Sequence, residues 1–150
     1  GLILSKKLGV NFIDTDQEIE KKLDMKISKI FENEGEKYFR DVEETLVLKI
    51  LKKQNTVISL GGGAFLNPKI RKVILENNIS FWLNWDIKTL INRIKYSQKR
   101  PIAFNSSTNE LIELIKKRSI VYSKSMYKIN CENMTKNEIV KKILKIYEAH

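Results

Sequence analysis

Four short apolar segments, each followed by a stretch of helical periodicity, constrain the fold of this chain more than any other feature. The pattern predicts strands at Asn11–Asp14, Thr56–Leu60, Ile79–Leu83 and Tyr127–Cys131. Short buried strands that alternate with helices are typical of a parallel sheet. Helices then cover both faces of that sheet. We therefore predict an α/β fold of three layers, with ligands at the carboxyl ends of the strands.

Local signals set the predicted helix boundaries. Leu2–Leu8 reads as a helix that Gly9 ends. Asp16 can cap the helix after the first strand. Residues 27–53 are predicted to be largely helical, with an interruption near Gly35. Asn67-Pro68 is a typical helix start, with Asn as the cap and Pro in the first position.

Carboxylates and glycines fall where two of the predicted strands end. Asp14 and Asp16 leave the first strand two residues apart, and alternate residues of a strand share a face. The pair can serve a metal or a hydroxyl, or can be a helix cap with a neighbouring loop charge. Gly61–Gly63 follow the second strand, and three glycines in a row let backbone N–H groups approach an anion. A flexible turn is the other interpretation.

Arginines supply the complementary charge. Arg40 and Arg118 each lie on a predicted helix and can offer a fork of donors to a carboxylate. Arg40 could equally form a surface ion pair with Glu36 or Glu44 at a spacing of four residues. Lys99-Arg100-Pro101 lies in a polar loop at about residues 97–108, which is either a lid over phosphates or a solvated loop. Taken together, these residues favour a small kinase that phosphorylates a hydroxyl of an acidic metabolite.

Composition narrows the class of protein. The chain has 150 residues, a net charge of +10 and one cysteine, Cys131, which excludes an internal disulfide. The charge suits an anionic partner, but lysines scattered over solvated helix faces explain it as well. No apolar run is long enough to span a bilayer, and residues 1–8 do not resemble a secretory signal. We expect a cytoplasmic monomer that binds neither membrane nor nucleic acid.

Read in order, these pieces resemble shikimate kinase over essentially the whole chain. The stretches that carry the resemblance are Leu8-Gly-Val-Asn-Phe-Ile-Asp-Thr-Asp16, Ile30-Phe31 with Gly35-Glu36, Phe39-Arg-Asp-Val-Glu43, Val57-Ile-Ser-Leu-Gly-Gly-Gly-Ala64, Arg100-Pro101, and Arg118 four residues before Tyr122. The resemblance implies a P-loop nucleoside-monophosphate-kinase-like fold. It also implies transfer of the ATP γ-phosphoryl group to the 3-hydroxyl of shikimate, in aromatic amino-acid synthesis.

The resemblance further implies a role for each site residue. Asp16 would bind the shikimate hydroxyls and act as the base, and Asp14 would support Mg²⁺ through water. Shikimate would also contact Arg40, Arg118 and the backbone of Gly61, Gly62 and Gly63. Arg100 would reach the phosphates from the lid, and Arg93 would lie on the adenine side.

The chain departs from the family pattern in one important respect. The Walker A sequence G-x-x-x-x-G-K-[ST] is absent, and Gly1–Leu8 matches the helix that follows that loop. We therefore expect the first strand and the phosphate loop upstream of residue 1, and a single domain over 1–150 that is inactive by itself. Asn133–Lys136 also lacks the arginine and proline that members often place around adenine.

Three alternatives stay open from the sequence. One is a related small-molecule kinase such as a gluconate kinase, which a substrate panel would separate. Another is a kinase-like domain that binds without catalysis, for which the missing Walker A sequence is the main support. The third is a basic nucleic-acid-binding module, against which the scattered lysines count.

Overall fold

Helices and strands alternate along residues 1–96 and 106–150, which are the residues that the computed structural model describes. The helices are α1 (Leu2–Leu8), α2 (Thr15–Leu23), α3 (Ile27–Ile50), α4 (Pro68–Asn77), α5 (Ile87–Lys95), α6 (Thr108–Tyr122) and α7 (Lys136–Glu148), with a 3₁₀ turn at Ala64–Leu66. The strands are β1 (Asn11–Asp14), β2 (Thr56–Ser59), β3 (Phe81–Asn84) and β4 (Tyr127–Asn130). Each predicted strand is present, with boundaries that differ from the prediction by at most two residues.

All strand pairing in the described residues is parallel, as the sequence predicts. β1 pairs with β2, with Asp14 opposite Ser59, and β3 pairs with β4, with Asn84 opposite Asn130. In the described part of the chain, β2 pairs only with β1 and β3 only with β4. The predicted sheet is therefore present as two parallel pairs. As the sequence predicts, the carboxylates and the glycines lie at the carboxyl end of the β1–β2 pair.

Apolar side chains from the helices pack around these strands in three clusters, as the 3.6-residue periodicity requires. The first lies between α3, the 3₁₀ turn and α4, the second between β4 and α7, and the third between α2 and α3. Their most buried members are Val47, Ala64 and Ile70 in the first, Ile129 and Cys131 in the second, and Ile19, Ile30 and Phe39 in the third. The first and third clusters hold the elements on either side of the glycine turn.

Most predicted helix boundaries are confirmed, and one cap is corrected. Gly9 adopts φ 65° at the end of α1, and Gly35 adopts φ 82° and ψ 171°, which interrupts α3 as predicted. The cap of α2 is Asp14, whereas Asp16 was the predicted one. The chain enters the helix two residues earlier than expected, so the backbone N–H groups of Asp16 and Gln17 both point at the Asp14 carboxylate. The side chain of Asp16 therefore does not serve as the cap and can bind another group.

Three further points bear on the predicted site and class. The predicted lid at 97–108, including Arg100, falls mainly on residues 97–105, which lie outside the described residues. In the part of the chain that is described, no helix combines the length and apolarity that a bilayer crossing demands. Cys131 is 1% exposed, and burial raises the pKa of its thiol, so it is a packed core residue rather than a nucleophile.

Candidate active site

The ends of β1 and β2 lie side by side and are tied together by one buried hydrogen bond. The backbone N–H of Gly61 donates to Oγ1 of Thr15 over 2.9 Å. Thr15 is fully buried and stands between Asp14 and Asp16, so this bond fixes the glycine turn against the carboxylates. It also uses the N–H of Gly61, which leaves Gly62 and Gly63 as the glycine donors able to face a ligand.

Asp16 lies directly against the glycine turn. A Cβ atom placed on Gly61 would come within 3.0 Å of Cγ of Asp16, so a side chain at position 61 would displace the carboxylate. Burial raises the pKa of Asp16 to about 6, and the nearby charges of Asp14 and Glu43 act in the same direction against the opposing effect of Arg40. A carboxyl group with a pKa near the working pH can both accept and release a proton.

Arg40 enters from α3 and is held by a buried carboxylate. Its Nη1 donates to Oε1 of Glu43 at 2.7 Å, and its Nε lies 3.6 Å from Oε1 of Glu36. Of the two predicted ion-pair partners, Glu36 is confirmed and Glu44 is wrong. Glu44 turns away because it accepts hydrogen bonds from Asn67 at 2.7 Å and from Lys69 at 2.9 Å.

Glu43 is the buried carboxylate that pairs with Arg40. Its side chain is 2% exposed, and burial raises its pKa although Arg40 and Arg118 both act to lower it. A buried carboxylate of this kind is stable only with a paired cation. The pair therefore orients Arg40 towards Gly63, where a Cβ atom would come within 2.6 Å of the guanidinium carbon.

Arg118 enters from α6 on the other side of the turn. Its Nη1 would lie 3.6 Å from a Cβ atom on Gly62, and its buried Nε has no hydrogen-bond partner in the described residues. A buried donor without an acceptor is costly, so this Nε calls for an acceptor from outside the described residues. One helical turn later, the hydroxyl of Tyr122 donates to the carbonyl oxygen of Gly62.

Close approach thus requires glycine at positions 61 and 63, whereas a Cβ atom on Gly62 would make only an ordinary contact. Within the described residues, positive φ values at glycine occur only at Gly9 and Gly35, so the turn itself does not need glycine. Positions 61, 62 and 63 face Asp16, Arg118 and Arg40 respectively. One carboxylate and two arginine forks therefore converge on one backbone turn.

Comparison with known proteins identifies one family of kinases. A sequence model of the shikimate kinase family matches residues 1–148. The chain belongs to the shikimate kinase family. A shikimate kinase from Persephonella marina is 36% identical over 144 residues, which are 96% of this chain and 87% of that protein.

Solved structures agree with the sequence match. The shikimate kinase of Aquifex aeolicus superposes with a TM-score of 0.88 at 32% identity, covering 99% of this chain and 87% of that one. The shikimate kinase of Acinetobacter baumannii, solved in complex with shikimate, gives a TM-score of 0.91 at 28% identity over 97% of this chain and 83% of that one. Shikimate kinases use ATP to phosphorylate shikimate in aromatic amino-acid biosynthesis, and the predicted fold and enzyme class are confirmed.

Arg93, another predicted site residue, lies apart from the glycine turn. Arg93 lies on α5, where its guanidinium stacks over Trp85 with 4.4 Å between the guanidinium carbon and the ring centroid. Trp85 packs on the β4–α7 cluster, so Arg93 belongs to the β3–β4 side of the molecule. Its predicted adenine contact stays a prediction, as does the role of Arg100, which lies outside the described residues.

Three residues of the site were not given a role by sequence reasoning. They are Thr15, Glu43 and Tyr122, and each acts on a neighbour within the protein. For Glu43 a signal exists, because it lies three residues after Arg40 on the apolar face of α3. Thr15 and Tyr122 reach backbone groups that are 46 and 60 residues away, and no local pattern encodes such contacts.

Adding one methyl group at Gly63 tests whether this position requires glycine because of close approach by a neighbour or because of backbone strain. In Gly63→Ala, the φ of −98° suits alanine, so the backbone adds no strain, and any loss in the free energy of unfolding reflects the disturbed Arg40–Glu43 pair. The new Cβ atom would displace the Arg40 guanidinium, and we expect shikimate affinity to fall about tenfold. Gly62→Ala is the matched control, because its Cβ atom meets only an ordinary contact at 3.6 Å. Calorimetric titration of both variants measures the difference, and equal losses would contradict the assignment.

Proposed function

We propose that this chain binds shikimate at the carboxyl ends of β1 and β2 and presents its 3-hydroxyl to Asp16. The proposal combines the family of the chain with the convergence of one carboxylate and two arginines on the glycine turn. In this pose the ring carboxylate of shikimate meets the two arginines. The hydroxyl groups lie on the opposite side, next to Asp16.

The observation that carries the proposal is the unpaired Nε of Arg118. It is buried, it has no acceptor in the described residues, and it lies on the same side chain as the Nη1 atom near Gly62. A planar carboxylate that accepts from Arg118 would satisfy this donor. Glu43 already occupies Nη1 of Arg40, so that arginine has its other Nη atom free for the second carboxylate oxygen.

Asp16 is the base in this proposal. As the 3-hydroxyl oxygen forms its bond to the γ-phosphorus of ATP, its proton passes to the Asp16 carboxylate, and the bond from the γ-phosphorus to the ADP oxygen breaks. Transfer of this kind depends on alignment and charge neutralisation more than on covalent help from the protein. A pKa of about 6 leaves most of Asp16 ionised at pH 7.5 and yet close enough to accept the proton.

The donor side of the reaction involves Asp14, Arg93 and Arg100. Mg²⁺ usually keeps several waters and takes one or two carboxylates in addition to phosphate oxygens. Asp14 fits an outer role of this kind, because one of its oxygens caps α2 and the other is not used by that cap. When bound, the ion would neutralise phosphate charge. Arg93 would lie beside adenine and Arg100 would reach the phosphates. A cytoplasmic monomer remains our expectation.

Binding measurements test the proposal with the 150-residue chain itself. Shikimate should bind at least about tenfold more tightly than its methyl ester, because the ester keeps every hydroxyl and loses the charge that the arginines recognise. Gluconate is the second comparison, since it carries a carboxylate on an open chain. Ester binding as tight as shikimate binding would remove the carboxylate clamp. Tighter gluconate binding would favour the related sugar-acid kinase.

A further inference from the structure

Tyr122 joins the apolar core to the glycine turn. Its ring packs against Phe65 and Trp82, with centroid distances of 6.4 Å and 6.1 Å, and it contacts the cluster formed by α3, the 3₁₀ turn and α4. The hydroxyl at the end of this anchored ring donates to the carbonyl oxygen of Gly62. The ring therefore has its position fixed by packing, and the hydroxyl transmits that position to the backbone.

The geometry of the peptide bond gives this contact a consequence on the other side of the turn. The carbonyl of Gly62 and the N–H of Gly63 belong to one planar unit and point in opposite directions. Because Tyr122 holds the carbonyl towards itself, the N–H of Gly63 points away from Tyr122. In the described residues, that N–H has no partner within the protein.

A peptide unit between two glycines can reverse its orientation more easily than other peptide units can. With no Cβ on either side, both orientations of the 62–63 unit are sterically open. The reversed orientation would present a carbonyl oxygen where the substrate site now has a donor. The preceding 61–62 unit is already held, because the carbonyl oxygen of Gly61 accepts from the N–H of Ala64. Within the described residues, the hydrogen bond of the 62–63 unit is the one from Tyr122 to the carbonyl oxygen of Gly62.

We propose that Tyr122 is a positioning residue for shikimate, which fixes the 62–63 peptide so that the N–H of Gly63 faces the ligand. The identity of the ligand rests on the proposed function. The orientation of the 62–63 peptide does not depend on any ligand. Arg118 precedes Tyr122 by one helical turn of α6, so a single helix delivers a direct anion contact and an indirect one.

Glycine-selective ¹⁵N labelling tests the proposal in the ligand-free chain, which contains six glycines. In Tyr122→Phe the ring remains and only the hydroxyl is lost. We expect the Gly63 amide signal to broaden or split while the Gly9 and Gly35 signals stay in place. Tyr127→Phe is the matched control, because that hydroxyl contacts His150 at 2.9 Å, on the β3–β4 side of the molecule. A sharp and unshifted Gly63 signal in Tyr122→Phe would overturn the proposal, as would the same broadening in Tyr127→Phe.

Titration with shikimate then connects the peptide to binding. Tyr122→Phe should raise the dissociation constant about threefold to tenfold, as expected for one lost hydrogen bond, and Tyr127→Phe should leave it unchanged. Disturbed Gly63 signals with an unchanged dissociation constant would refute the role in binding. If the unmodified chain binds no shikimate, the proposed function fails, and the ligand-free spectra still decide whether Tyr122 holds the peptide.

Discussion

Replacing Asp16 by Asn should lower phosphoryl transfer to shikimate about 100-fold or more, in any form of the protein that turns over. Asn keeps the size of the side chain and its hydrogen-bonding oxygen, but it cannot accept the hydroxyl proton. A positioned base of this kind typically contributes two to four orders of magnitude. ATP affinity should change little, because the proposed contact of Asp16 is with shikimate. Single-turnover measurements at saturating ATP give the rate directly, and turnover near the wild-type rate would remove Asp16 from the mechanism.

The same variant should be more stable than the wild type at pH 7.5. The pKa of Asp16 rises from its ordinary value of 3.8 to about 6 in the folded protein, so the folded state binds more protons than the unfolded state between these pH values. Its contribution to stability is therefore complete below pH 3.8 and is lost as the pH rises through 6. The neutral Asn side chain carries no such cost, and because Asp16 is partly exposed we expect a gain of about 1–2 kcal/mol.

Urea unfolding at pH 5 and pH 7.5 measures this linkage. The advantage of Asp16→Asn should be largest at pH 7.5 and should shrink at pH 5. Asp41→Asn is a suitable control, because Asp41 is an exposed carboxylate on α3 and its replacement should leave the unfolding free energy unchanged. A loss of stability in Asp16→Asn at pH 7.5 would show that the carboxylate is held in its charged form. A stability cost at a catalytic group is common, since such groups are selected for function.

Local chemistry made much of this fold predictable. Asn67 followed by Pro68 begins α4 as predicted, since its side chain accepts from the N–H groups of Lys69 and Ile70. Thr135 and Glu138 form a capping box at the start of α7, which is another signal of this local kind. Signals of this kind depend on residues within one turn of helix, so the sequence contains all the information they need.

The errors and omissions have a common physical cause. Asp14 and Asp16 both lie at the start of α2, and either could cap it by composition. The choice is made by the turn into the helix, which tertiary contacts of Thr15 and Gly61 fix. Glu44 was an equally good local partner for Arg40, yet α4 brings Asn67 and Lys69 to it and removes it from competition. Competition between nearby groups is decided by distant elements, which residue spacing does not reveal.

The candidate site shows the same division. Asp16, Arg40, Arg118 and the three glycines were named from the sequence, and the structure brings all of them to one turn. The residues that support them, Thr15, Glu43 and Tyr122, are evident only from contacts in the folded structure. A residue that binds a ligand must carry a particular chemical group, and the sequence shows that group. A residue that orients a ligand-binding side chain needs only to lie close to that side chain, and the sequence does not show this.

Removing the two arginines one at a time should produce different losses. Arg118→Ala and Arg40→Ala should each weaken shikimate binding about tenfold to a hundredfold, because each loses a charge-assisted hydrogen bond to the carboxylate. Only Arg40→Ala should also destabilise the fold, by about 3 kcal/mol at pH 7.5, because Glu43 is then buried without its ion pair. Titration calorimetry and urea unfolding of the two variants separate binding from folding.

The stability loss in Arg40→Ala should depend on pH and on Glu43. Without Arg40, the already raised pKa of Glu43 rises further, so its carboxyl takes a proton as the pH falls and the loss should diminish towards pH 5. In the double variant Arg40→Ala/Glu43→Gln, the buried charge is gone, and the unfolding free energy at pH 7.5 should recover. Shikimate affinity should not recover, because the donor to the carboxylate is still missing. Recovery of both would mean that Arg40 serves the fold alone, and recovery of neither would mean that Glu43 does not carry the buried charge.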